Sequence, residues 1–325
     1  MKVIDLFSGI GAVEMALKEL KIPFETAAIC EIDKNAIKIY ERLHEKANNL
    51  GDITKVTELP ECDYIHFSSP CTSFSQAAKS SGNQTGMQGK SGILIEVYRL
   101  FENYRDRNML PKYFTFENVE SLTTKFKDDW EYFLSFFDEI GYNIKWSILN
   151  ARDFDCPQER KRVFAVGIRK DLNKDFEMPI GRLTEKRLKD IMLPRDEVGE
   201  DYYHPDIRAK DRHFRTTPIS NYDQVIETGF YFTEKSKTRH QTNRIYDPNG
   251  LAPTVTTVPQ INFEVGTERL RRVHPHEVWR IMGFSDEDYE KIKDIKKSPI
   301  MKACGNSIAL GPIKAILERL FKEEN

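Results

Sequence analysis

The sequence predicts an α/β protein, with a mostly parallel, doubly wound sheet of the nucleotide-binding kind and a smaller, loop-rich, mainly β region placed late in the chain. Three observations carry this. The chain opens on a strand, a glycine turn and an amphipathic helix. Short apolar, β-favouring runs then alternate with helical periodicity as far as residue 168. From about 175 to 262 that periodicity weakens, and charges, turn residues and aromatics mix.

Residues 2–7 (KVIDLF) read as a short buried strand, followed by SGIGA and a helix with Val13, Ala16, Leu17 and Leu20 at helical spacing. Gly9 and Gly11 would let a ligand approach the backbone, and the helix N-terminus presents free N–H groups. Such a turn is common in any βα unit, so alone it says little. A second strand, 24–30, ends at Glu31 and Asp33, roughly 20 residues after the turn, where an acidic side chain binds ribose hydroxyls. Glu31, at the strand tip, is the better ribose candidate, and Asp33 is expected to cap the next helix. Gly51-Asp52-Ile53 reads either as a turn closed by an Asx bond or as an acceptor for an adenine amino group.

The run 63–67 feeds abruptly into a Ser/Gly/Gln/Thr-rich segment (66–86, HFSSPCTSFSQAAKSSGNQTG). Pro70 fixes its own φ and pushes Ser69 toward an extended conformation, so the chain must turn there. Cys71 is thereby placed at the C-terminal tip of a strand, the edge at which open α/β sheets bind ligands. A helix with Ile93, Val97, Leu100 and Tyr104 follows, then a strand from Tyr113 to Phe116 ending in Glu117-Asn118-Val119. Residues 128–140 form an amphipathic helix stopped by Gly141, and 142–149 and 163–168 are two more strands. Between them lies CPQERKRVF, with Arg160 and Arg162 alternating toward one side. HPHEVWRIMGF starts a helix near Pro275, and CGNSIALGPIKAILERLF supplies a terminal helix with Ile308, Ile313, Ile316 and Leu320 toward a core. The expected domains are therefore 1–175, 176–262 and a returning segment 263–325 that completes the first.

Composition narrows the function classes. The chain has 325 residues, 39% hydrophobic and 31% charged, with a net charge of −2. No apolar run approaches the ~20 residues needed to span a bilayer. No secretory signal is visible, so the cytoplasm is expected. Five cysteines at scattered positions (30, 62, 71, 156, 304) make a disulfide framework unlikely and form no zinc pair, so no metal is expected. The net charge excludes a generally basic nucleic-acid binder but allows a local basic cleft. IRAKDRHFR (207–215), KSKTRHQTNR (235–244) and RLRR (269–272) are each locally positive.

The motifs, taken in order, resemble those of the C5-cytosine DNA methyltransferases. DLFSGIGA (5–12) is similar to their cofactor glycine motif and SPCTSFS (69–75) to their Pro-Cys nucleophile motif. ENV (117–119), QERKR (158–162), RRVHPHEVWRIMGF (271–284) and GNSI (305–308) are similar to the remaining blocks. One block would be weak; six in register span both ends of the chain. Thr72 departs from the glutamine usual after the nucleophile. The resemblance implies a Rossmann-like, S-adenosylmethionine-dependent methyltransferase sheet carrying a target-recognition domain, and sequence-specific methylation of double-stranded DNA.

On that resemblance Cys71, Glu117, Arg160 and Arg162 are the expected catalytic residues. Cytosine C5 is too weak a nucleophile to take a methyl group directly, and covalent addition of a thiolate at C6 activates it. Glu117 would protonate or hydrogen-bond N3. Arg162 would approach O2, where negative charge builds, and Arg160 would support Glu117 or a phosphate. The expected cofactor contacts are Asp5, Phe7, Gly9, Ile10, Gly11, Glu31, Ile32, Asp52, Ile53, Pro70, Asn306 and Ser307, with S-adenosyl-L-homocysteine as product. The base must be flipped out, at a cost of a few kcal/mol, and the loop 72–90 would close over it. TNRIYDPNGLAPTVTT (242–257) is expected to be the junction where the recognition domain packs back. The resemblance further implies a monomer, nucleoid-associated when on DNA, with a cognate restriction endonuclease as possible partner. The competing readings are a tRNA cytosine-5 methyltransferase and a catalytically silent DNA-binding relative. The recognised site is not legible in the sequence.

Overall fold

The computed structural model describes residues 1–70, 92–204, 212–214, 221–231, 243–259, 261–265 and 269–322. Cys71, Thr72 and the loop 72–90 lie outside the described residues, as do most of the basic stretches at 207–215 and 235–244. The chain divides into two compact units, one of 1–149, 161–180 and 313–325 and the other of 150–160 and 181–312.

The first unit is built on a six-stranded sheet in the order β2-β1-β3-β4-β6-β5. Its strands are β1 (Lys2–Leu6), β2 (Glu25–Cys30), β3 (Tyr64–Phe67), β4 (Tyr113–Val119), β5 (Tyr142–Asn150) and β6 (Lys161–Arg169). β1 pairs parallel with β2 and β3, β3 pairs parallel with β4, and β6 runs antiparallel to β4. The chain leaves β1 toward β2 and returns on the other side as β3, so the β1/β3 boundary is the topological switch point. The mixed α/β class follows as expected, and the strands fall within a few residues of the ranges read from the sequence.

Alternation along the strands sorts the two faces. Ile4, Leu6, Ile65, Phe67, Phe114 and Phe116 share one core with α3 (Ile93–Asp106) and α4 (Lys127–Glu139). Ring centroids there lie close, Phe114–Phe137 at 4.4 Å and Phe116–Phe133 at 4.6 Å, separations at which aromatic pairs add to simple burial. The opposite register carries polar groups: Asp5, His66 and Thr115 are consecutive cross-strand partners, all buried. Beside them stand α1 (Ala12–Glu19), whose Glu14 accepts from Tyr40 of α2 (Lys34–Leu43) at 2.9 Å, and the end of the last helix, where Phe321 meets Tyr64 and Tyr113 edge-on. Burial, with Glu14 close by, holds the Asp5 carboxyl well above the usual range. Burial also pushes the His66 imidazole down to about 3, so it is neutral at pH 7, its Nδ1 2.7 Å from Thr115 Oγ1.

The second unit carries a five-stranded sheet, β11-β10-β9-β8-β7, from β7 (Arg212–Phe214), β8 (Glu227–Tyr231), β9 (Arg244–Tyr246), β10 (Asn262–Val265) and β11 (Arg269–Arg272). β7–β9 are short strands of the kind expected within 176–262, whereas β10 and β11 run from its end into the following segment. The domain boundaries differ from those expected: 263–312 belongs with the second unit, and only 313 onward returns to the first. Glu277 explains why. It accepts both guanidinium branches of Arg271, at 2.8 and 2.5 Å, together with the N–H groups of Leu193 and His274. A buried pair this fully satisfied binds helix α5 (Pro275–Ile281) to β11 and to residue 193. The terminal stretch is also two helices rather than one. α6 (Lys297–Asn306) ends at Ser307, and α7 (Leu310–Phe321) begins after it. Among the described residues no helix is long and apolar enough to cross a membrane.

Candidate active site

The C-terminal ends of the parallel strands β1, β3 and β4 share one edge with the start of antiparallel β6, and the residues singled out in the first unit gather there. After β1 the chain takes left-handed turns at Phe7 (φ 63°), Gly9 (56°) and Gly11 (76°). Gly11 caps α1 and donates to Ser8 O at 2.8 Å. Any Cβ there would overlap the His44 imidazole; His44 Nε2 lies 2.9 Å from Ile10 O. The turn is thus held from behind by α2. Asp5 is buried beneath it rather than lining it, and Ile10 and Ile53 are buried as well.

Gly9 N donates to Glu31 Oε2 at 2.9 Å, which joins the glycine turn to the tip of β2. The other oxygen accepts from Ile32 N and Asp33 N at 2.8 and 2.7 Å. A carboxylate has about four acceptor positions, and three are taken, so Glu31 Oε2 can still accept from one ribose hydroxyl. Ile32 beside it is 71% exposed, an apolar face with room for a flat ring. Asp33 caps α2 through Asn35 N and Ala36 N, as expected. Asp52 Oδ1 accepts from Thr54 N at 3.1 Å and Thr54 Oγ1 at 2.8 Å. This is the turn-closing alternative, and the Thr54 bonds hold its carboxyl below the usual range. Asn49 was not legible in the sequence. Its side chain bonds both Glu31 N and Glu31 O at 3.1 Å and fixes the strand tip.

At the other end of the edge, Glu117 on β4 is buried, 7% exposed. Its register partner on β6 is Phe164, which puts Arg162 diagonally across on the same face. Arg162 Nε stands 3.3 Å from Glu117 Oε1. Ser68 Oγ lies 2.7 Å from Oε2. Asn118 Nδ2 donates to Ser69 O and Ser69 Oγ, both at 3.2 Å, fastening the segment that leads into exposed Pro70. Cys71 follows outside the described residues. The other four cysteines are buried. Burial pushes the thiols of Cys30, Cys62 and Cys304 up to about 12 and that of Cys156 to about 11, so none of these is a ready nucleophile.

The second unit holds the rest of the expected set. Arg160 is buried, and its guanidinium donates to Val255 O (2.9 Å), Ser307 O (2.8 Å) and Gly305 O (3.3 Å). Expected to support Glu117 or a phosphate, Arg160 through these bonds clasps the C-terminal end of α6, which carries Asn306 and Ser307. Glycine is required at 305, where a Cβ would overlap the Thr256 main chain. Asn306 is exposed and Ser307 buried. The described part of the 242–257 stretch docks on residues 157–159: Glu159 N donates to Ala252 O (2.9 Å), Ala252 N to Pro157 O (2.8 Å) and Val255 N to Gln158 Oε1 (3.4 Å).

Comparison with known proteins gives the same reading. Across 99% of its length the chain is 26% identical to the orphan methyltransferase M.SPRI of Bacillus phage SPR, covering 97% of that protein. It is 25% identical to the type II methyltransferase M2.ScrFI of Lactococcus lactis subsp. cremoris, with both chains fully covered. Among solved structures, the Entamoeba histolytica methyltransferase EhMeth superposes with a TM-score of 0.73 at 18% identity, covering 99% of this chain and 98% of that one. The S. pombe Dnmt2 methyltransferase superposes at 0.70 and 19%, covering 99% and 100%. Both establish the fold. The profile of the C-5 cytosine-specific DNA methylase family matches residues 1–322, and the chain belongs to that family.

Proposed function

We propose that Cys71, Glu117 and Arg162 carry out the cytosine-5 methylation of DNA that the family defines, on a base flipped out of a specific duplex sequence. The observation that carries this reading is the Glu117 carboxyl, set between Ser68 and Arg162 at the strand edge from which Pro70 leads into Cys71.

The thiolate of Cys71 adds to C6, and the displaced ring electrons move toward N3 and O2. Glu117 meets that charge by giving a proton to N3, and Arg162 meets it at O2 through N–H groups that are fixed before the reaction. The ring is then an enamine with a nucleophilic C5. S-adenosylmethionine, when bound, supplies the electrophilic methyl group that C5 takes. The residues at the first edge fit such a group. Glu31 keeps acceptor capacity for one ribose hydroxyl, Ile32 offers an apolar face to the adenine, and the α1 N-terminus with Gly9 and Gly11 admits a chain close to the backbone. Asp52, Phe7, Asn306 and Ser307 complete the proposed contacts. Loss of the C5 proton to solvent then restores the aromatic ring as the C6–S bond breaks, Cys71 leaves with its electrons, and N3 returns its proton to Glu117.

Residues of the second unit supply recognition, with Arg, Asn and Gln side chains reading base edges and lysines contacting phosphates. A single chain suffices for this chemistry, acting on DNA in the cytoplasm. Relatives named type II methyltransferases suggest a restriction endonuclease of the same specificity as partner. Tritiated methyl transfer to duplex DNA and to tRNA, with wild type, Cys71→Ser and Glu117→Gln, tests the proposal. Label is expected in DNA with wild type alone. Equal label with Cys71→Ser would overturn the mechanism, and label confined to tRNA would overturn the substrate.

A further inference from the structure

Ser68 carries a hydroxyl that none of the six motifs includes. The β3/β4 ladder pairs His66 with Thr115 and Phe67 with Phe116, so the next step sets Ser68 beside Glu117. Its Oγ is 2.7 Å from Glu117 Oε2 and 3.1 Å from the main-chain oxygen of the same residue. Arg162 Nε stands 3.3 Å from the other carboxyl oxygen.

We propose that Ser68 is a positioning residue for Glu117, holding its carboxyl in one orientation through both protonation states. A hydroxyl has one proton to donate and two lone pairs to accept with. Toward an ionised carboxylate, Ser68 donates to Oε2, a charge-assisted bond. When Oε2 carries a proton, the hydroxyl turns about its Cβ–Oγ bond, donates to the Glu117 carbonyl instead, and accepts from the carboxylic acid. Both acceptors lie within reach of the same oxygen, so this exchange moves one hydrogen and no heavy atom. Arg162 cannot do the same. A guanidinium has only donors: it can bond Oε1 in either state but cannot accept the O–H of the acid on Oε2. A group that must give up a proton during C6 addition and be ready for the next turnover therefore keeps one fixed neighbour in each state. This inference rests on reading Glu117 as the proton donor.

The test is steady-state kinetics on duplex DNA for wild type, Ser68→Ala, Ser68→Thr, Ser68→Gly and Glu117→Gln, with a thermal melt of each. Removing a hydrogen bond to a charged group predicts that Ser68→Ala lowers kcat about tenfold to a hundredfold. KM for DNA and for S-adenosylmethionine should stay near wild type. Ser68→Thr keeps the hydroxyl and should restore most of the rate. Wild-type kcat in Ser68→Ala overturns the proposal, and so does a Ser68→Thr variant that melts like wild type yet is as slow as Ser68→Ala. Should Ser68→Ala not fold, Ser68→Gly decides: a slow kcat at unchanged KM supports the role, and wild-type kcat refutes it. Glu117→Gln separates the two levels. Its full activity would sink the reading of Glu117 itself, whereas an inactive Glu117→Gln beside a fully active Ser68→Ala would sink only the role of Ser68.

Discussion

Replacing Gly11 by alanine perturbs the turn after β1 in two separable ways. Its φ of 76° is left-handed, which costs an L-residue about 1–2 kcal/mol. The new Cβ would also overlap the His44 ring and stand 2.8 Å from Tyr40 Cε2. His44 would have to move away from Ile10 O, at 2.9 Å, and from Lys18 Nζ, at 3.0 Å. Two such hydrogen bonds contribute roughly 1 kcal/mol each, so the whole loss is about 3–4 kcal/mol. Urea unfolding of wild type, Gly11→Ala, His44→Ala and the double variant measures it. In the His44→Ala background the backbone strain and the Tyr40 contact remain, so the same substitution should cost about 2 kcal/mol less there. A Gly11→Ala protein as stable as wild type would refute the reasoning. An equal cost in both backgrounds would refute the part assigned to His44.

Arg160→Met leaves the carbonyls of Val255, Gly305 and Ser307 without their guanidinium, and should destabilise the second unit by about 3 kcal/mol or more. Amide exchange should rise at 303–308 before it rises in β1–β4, and uniform protection would contradict the clasp. The pH dependence of stability follows from His66. Its folded-state value, about 3, lies below the ordinary value near 6.5, so the native state binds fewer protons than the unfolded chain between those limits. Its contribution is complete above pH 6.5 and is lost as pH falls, by about 2 kcal/mol at pH 5. Chemical denaturation at pH 7 and pH 5 should show that loss, and His66→Gln should flatten it. An unchanged slope in His66→Gln would rule this histidine out.

How much of this was legible in the sequence depends on how local each cause is. The order of β1–β6 follows from apolar runs bounded by turn residues, and Asp33 as a cap follows from its own position. Glu117 and Arg162 meet because both sit at strand ends of one edge, which the motif order implies. Arg160 is different: spacing places it on the same side of a strand as Arg162, but a long side chain goes where unpaired carbonyls are, and those at 255, 305 and 307 are remote in sequence. Ser68 and Asn49 look like any polar residue at a strand end, since their partners are fixed only by sheet register. The grouping of 263–312 with the second unit has a similarly non-local cause. Glu277 ties α5 to Arg271 and Leu193, and no local pattern announces a buried carboxylate with four bonds to satisfy.

The last helix closes a sheet that begins at residue 2. Lys314 pairs with Glu19 at 2.5 Å across 295 positions, and Phe321 packs on Tyr64 and Tyr113 at 5.3 and 5.4 Å. During synthesis, every residue of the second unit leaves the ribosome before this strip of the first unit does. The nascent β1–β3–β4 ladder must therefore wait with the rings of Tyr64 and Tyr113 uncovered, while a later stretch of chain already has all it needs to fold. Such long-range closure is slow and leaves apolar surface open to other chains in the interval. The half begun first is thus the half finished last, and its dependence on chaperones during translation should exceed that of the second unit.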